Sequence, residues 1–116
     1  MAETSDDRRR LLVSHIVAAR RDDDPVTFRA GDVEVTYDDR ILKVELTSDE
    51  RERLEALLES YHVFKIKQPE TRKADERVVY LSAVTDAKHA SDFIDALFSE
   101  VYGFKTHYEL RVNDIE

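Results

Sequence analysis

Between His62 and Lys73 the sequence HVFKIKQPETRK sets Lys65, Lys67, Arg72 and Lys73 against a single acid, Glu70, in a chain of formal net charge −8. Clustered cations on an acidic protein are chemistry for gripping a phosphate backbone, unless they have a plainer structural purpose. The other reactive side chains are scattered. His15, His62, His89 and His107 fall in four separate predicted elements, and the spacing of His89 from Asp86 and Asp92 is that of a helix cap. With no cysteine there is neither a thiol nucleophile nor a thiolate zinc site. The two glycines, Gly31 and Gly103, suit a turn and a helix stop, whereas a phosphate-cradling loop needs several. No serine sits in a G-x-S-x-G elbow. The expectation is a non-enzymatic chain with no metal and no cofactor.

At 116 residues one domain is expected, able to bury about two-thirds of the surface of its unfolded chain. No apolar run approaches the roughly 18 residues that span a bilayer. MAETSDDRRRLL is too acidic and too weakly apolar for a secretory signal, so a cytoplasmic protein without membrane contact is expected. Fourteen Asp and twelve Glu stand beside twelve Arg and only six Lys. Such a surface stays hydrated in molar salt and repels itself when salt is low, the signature expected of an extreme halophile.

These charges need elements to place them. Residues 5–21 repeat Leu12, Ile16 and Ala19 at helical spacing, between Asp6 and Asp7 at one end and Arg20 and Arg21 at the other. Pro25 then disfavours helical geometry at Asp24. Residues 26–28 and 33–37 read as short strands about the AGD turn, and ILKVEL follows as a third after DDR. TSDE, residues 47–50, is a capping box for a helix burying Leu54, Leu57, Leu58 and Tyr61. HVFKIK and RVVYLSAV are the next strands. Thr85 or Asp86 caps a helix carrying Phe93, Ile94, Leu97 and Val101, and FKTHYELRV alternates as the last strand. From residue 40 the order is β-α-β-β-α-β, and the halves ILKVELT to YHVFKI and VVYLSAVT to YGFKTHY echo one another. The predicted fold is α+β: an antiparallel sheet with a ferredoxin-like core over residues 40–113, preceded by an N-terminal helix and hairpin over 1–39. In that core the order 4-1-3-2 already flanks the first strand on both sides, so the hairpin must either pair with an overhang or extend the sheet.

The same order places Lys43, Lys65, Lys67, Lys105, His107 and Arg111 on the sheet face away from its helices, with Glu45 and Glu109 among them. RVVYLSAV is apolar on both sides, so Tyr80 and Ile41 need a cover: the N-terminal helix or a second copy making a homodimer. Arg72 and Lys73 belong to the 68–76 loop, the other candidate contact surface. A base-stacking RNA reader needs aromatic residues on both central strands, and only Tyr80 is present. Charge alone is weak in brine: about five phosphate contacts lose roughly four to five orders of magnitude in affinity between ~0.2 and ~2 M salt. Lysines pointing outward from HVFKIK and FKTHYELRV also have a structural purpose, because both are predicted edge strands and charge there opposes edge-to-edge pairing.

RRRLLVSHIVAAR, ELTSDERERLEALLESY and SDFIDALFSEVYG together resemble the small acidic uncharacterised proteins of halophilic archaea. The resemblance covers the whole chain through composition and element order, and it implies no activity and no site residues. The expected function is a small binding or regulatory module working through protein contacts, with a nucleic-acid-associated regulator as the alternative.

Overall fold

A computed structural model describes residues 4–67, 77–104 and 108–113. Helix α1 spans Ser5–Asp22, capped by the Thr4 hydroxyl accepting from the Asp7 amide, and it ends at Asp23 in the left-handed region. Strands β1 (Val26–Ala30), β2 (Val33–Asp38) and β3 (Ile41–Glu45) follow as a meander. The capping box forms as expected: Thr47 accepts from the Glu50 amide while the Glu50 carboxylate accepts from the Thr47 amide, opening α2 (Ser48–Leu58). Strands β4 (Lys65–Lys67) and β5 (Val78–Ser82) precede α3 (Ala87–Ala96), which Asp86 caps. A wider π-helical turn, Leu97–Val101, continues α3, and β6 (Arg111–Asn113) closes the chain.

The sheet has six strands in the order β4-β5-β3-β2-β1-β6, every neighbouring pair antiparallel. The α+β architecture is as expected, and the order is compatible with a ferredoxin-like core. Its β-α-β-β-α-β succession is intact, and β4, β5 and β3 stand as its second, third and first strands do. The hairpin β1–β2 lies inside the sheet, between β3 and β6, and not outside the core as an elaboration of it. The second crossover therefore passes over three strands. It covers four strand spacings, roughly 19 Å, a reach that the α3 helix and its π-helical continuation supply.

One face of the sheet is buried. Val26, Tyr37, Leu42 and Leu81 form one cross-strand row, and Phe28, Val35, Val44 and Val79 the next. All three helices lie on that face. Leu12 and Ile16 of α1 join the same core as Phe93 and Leu54, α1 packs along α3, and Arg20 donates to the Tyr37 hydroxyl at 2.7 Å. The N-terminal helix does not cover the second face. Its apolar stripe is spent on α3 and β1 beneath it.

Two strands are shorter than the alternation suggested. Only Lys65–Lys67 of HVFKIK pairs, because residues 62 and 63 turn and Phe64 drops into the core. At the far end pairing runs over residues 111–113, while Phe104 and Tyr108 gather around Phe98 with ring centroids 6.4 and 5.5 Å away. Residues 105–107 lie outside the described residues. The edge assignment itself holds: β4 and β6 are the outer strands.

The β2–β3 turn is built from Asp39 and Arg40, both at positive φ, 50° and 61°. A two-residue hairpin turn favours that geometry, and glycine adopts it without a Cβ penalty. Arg40 is exposed, and its backbone carbonyl accepts from the Ala83 amide at 2.8 Å. Arg40→Gly keeps that bond and is expected to stabilise the fold by about 0.5–1 kcal/mol, read as a higher urea midpoint at constant slope. An unchanged or lower midpoint would show that the arginine side chain holds the turn.

Candidate contact face

The open face presents alternate residues of all six strands. Lys43 of β3 is the direct cross-strand partner of Tyr80 on β5, and Tyr80 is in turn the partner of Lys67 on β4. One row on, Ile41, Ser82 and Lys65 align in the same way. The three lysines are exposed, while Ile41, Val78, Tyr80 and Ser82 are half-buried with no helix above them. Across the sheet, Arg29 and Arg111 are register partners, a like-charge pair that each side neutralises locally. Arg29 bonds the Glu34 carboxylate, and Arg111 lies 3.8 Å from that of Glu109. Thr27 and Thr36 share a hydroxyl contact of 3.2 Å between the two halves.

Of the residues the sequence nominated, the sheet brings Lys43, Lys65, Lys67 and Tyr80 together, and sets Arg111 on the opposite edge strand. Arg72, Lys73, Lys105 and His107 lie outside the described residues. His89 sits beside Asp86, 3.9 Å away, with the Asp86 side chain accepting from the His89 amide as a helix cap. Among the described residues no cluster of three or more His, Asp or Glu could hold a metal ion.

A second polar constellation has no counterpart in the sequence reading. Arg8, only 2 % exposed, donates from Nε to Asp95 at 3.2 Å and from Nη1 to the Tyr108 carbonyl at 3.0 Å. Its guanidinium also lies 4.0 Å from the Tyr108 ring centre, and the Tyr108 hydroxyl bonds Asp95. One signal was available: Arg8 precedes Leu12 and Ile16 at four-residue steps, so it shares their buried face. Beside it, Arg9 bonds Asp92. On the other side of the core, Arg53 donates to the Val101 carbonyl at 2.8 Å, and Tyr102 donates to that of Glu45 at 2.7 Å. Each contact joins two elements.

Burial raises Tyr108 and Tyr102 well above the ordinary tyrosine value, reinforced by the bond to Asp95 in one and by the Glu50 and Glu45 carboxylates in the other. A neutral phenol favoured by the fold contributes stability that is present below the unfolded value, near 10, and lost as pH rises toward the folded one. The melting temperature is therefore expected to hold to about pH 10 and then fall. Phenolate absorbance from these two tyrosines should appear only with unfolding. Reversible ionisation of all five tyrosines in the folded protein would contradict the buried assignment.

Fold and face together define an α+β protein with an antiparallel sheet that, among the described residues, has helices on one face only, and whose other face is apolar and cationic over β3, β5 and β4. The chain belongs to a family of unknown function, DUF7975, whose model matches residues 1–115. No curated protein and no solved structure matches it. Among the described residues no helix is long and apolar enough to cross a membrane.

Proposed function

We propose that this chain is a small non-enzymatic binding module of the cytosol, adapted to high salt, that works through protein contacts made by the open face of its sheet. The observation that carries this reading is a six-stranded sheet with helices on one face only, leaving Tyr80, Ile41 and Val78 half-buried on the other. Apolar side chains on the bare side of a central strand gain most from a partner that removes them from water. The polar groups on the helical side support a non-catalytic role, since Arg8, Arg20 and Arg53 each tie a helix to a neighbouring element.

A photo-crosslinking amino acid placed at residue 80, in cells of the protein's source, tests the reading against the same probe at exposed Lys88 on α3. Protein adducts are expected from residue 80 and not from residue 88. An adduct of twice the chain mass identifies a second copy. Nuclease-sensitive adducts would replace this reading with the nucleic-acid alternative, and no adduct at all would remove the face from consideration.

The salt adaptation has its own test. Excess carboxylates repel at low ionic strength and are screened within ~3 Å at 1 M salt. The unfolding midpoint is expected to rise steadily with KCl, and complete folding in salt-free buffer would count against a halophilic setting.

A further inference from the structure

We propose that the β3–β5–β4 half of the open face is a docking site for an acidic protein segment that also carries apolar side chains. The proposal rests on the protein-contact reading above and names the partner's chemistry. Its floor is Tyr80 and Ile41. Val78, half-buried on the same side of β5, extends it. Its rim is Lys43, Lys65 and Lys67, half of the lysines in the chain.

Charge separates this half from the rest of the sheet. The arginines across the face already hold Glu34 and Glu109. Among the described residues, none of the three lysines is in an ion pair, and Glu45 is the one carboxylate on the same three strands to oppose them. Lysine stems lie along apolar surface and leave the ammonium at its edge. A segment with carboxylates flanking aliphatic or aromatic side chains matches both parts at once.

Nucleic acid fits less well. One half-buried ring offers a single stacking platform, and its neighbours on the open face, Ile41 and Val78, are aliphatic. A second copy fits less well too. It would set lysines on lysines, or lysines on a half where Asp38 is the one open-face carboxylate among the described residues that no arginine holds.

The two parts of the site answer differently to salt. Rim charge weakens as salt rises, whereas apolar burial persists. A synthetic peptide of Glu with Leu at every third or fourth position should therefore keep most of its affinity in molar KCl. An all-Glu peptide of equal length should lose it.

Amide chemical shifts of the isotope-labelled full chain would be followed during titration with these two peptides and with oligo(dT) of matched charge. The Glu–Leu peptide is expected to move residues 41–45, 65–67 and 78–82. The triple variant Lys43→Glu, Lys65→Glu, Lys67→Glu should bind it about tenfold more weakly, since exposed ion pairs contribute little individually but sum over three. Lys88→Glu, on α3, should bind within about twofold of the parent, and the parent-like spectrum of each variant verifies its fold. Shifts on β1 and β6, an unaltered triple variant, equal binding of the all-Glu peptide in molar salt, or tighter oligo(dT) binding on the same residues would each overturn the proposal. No peptide binding together with protein adducts at residue 80 would overturn it while leaving the broader reading intact. No binding and no adducts would remove both.

Discussion

Phe93→Ala is expected to cost about 3–5 kcal/mol, a large part of the stability of a domain this size. Phe93 is fully buried on α3. Its ring stacks on Phe64 with centroids 4.0 Å apart and planes 8° from parallel, and meets Tyr61 edge-on at 5.3 Å. The Phe64–Tyr61 contact, at 6.2 Å, completes the triangle. Phe64 enters the core just before β4, so this stack fixes the entry of the edge strand that carries Lys65 and Lys67. Alanine removes two of the three contacts and leaves a void that a rigid α3–sheet interface cannot close. Phe93→Leu, which refills most of the volume, should cost less than about 1.5 kcal/mol. Urea unfolding in constant high salt would measure both. Equal costs for Ala and Leu would show that the aromatic geometry, and not the filled volume, is what matters.

The second large effect is expected from removing Asp95. Arg8 is almost wholly buried and Asp95 keeps about a third of its side chain in water (2 % against 34 %). Asp95→Ala takes a carboxylate partner from the buried guanidinium and leaves the Tyr108 hydroxyl without its acceptor, at a cost of about 2–3 kcal/mol. Arg8→Met keeps much of the apolar stem and lets Asp95 hydrate where it stands, so its cost is expected at about 1–2 kcal/mol. The asymmetry is the test, because a simple pairwise bond would make the two losses equal. Adding Arg8→Met to Asp95→Ala should cost less than the sum of the two singles, since both remove the same contact. A double variant as unstable as the sum of the singles would refute the account.

Both networks lie under the sheet, and they explain how far sequence reasoning could go. Local chemistry was legible wherever neighbours in the chain are neighbours in space. The Thr47–Glu50 capping box, the turn at Gly31, the acidic and basic ends of α1 and the alternation of β2 and β3 all depend on residues a few positions apart. The site was partly legible for the same reason: alternation alone puts Lys43, Lys65, Lys67 and Tyr80 on one side of their strands. The role of Arg8 was hidden because its partners, Asp95 and Tyr108, are about 90 and 100 positions away, and nothing local distinguishes it from Arg9 and Arg10. FKTHYELRV misled because alternation marks a chain that could pair, whereas Phe104 and Tyr108 gain more by packing on Phe98.

By itself the sequence determined the composition of the surface, the type and order of the elements, and the inward and outward sides of each strand, because these follow from periods of two and 3.6 and from side-chain charge. Only the tertiary structure decided that the β1–β2 hairpin enters the sheet between β3 and β6, that α1 joins α2 and α3 on one face, and that among the described residues no helix therefore covers the lysine-bearing face. Those choices turn on which apolar stripes fit together across long separations in the chain, and burial is non-directional until packing selects a partner.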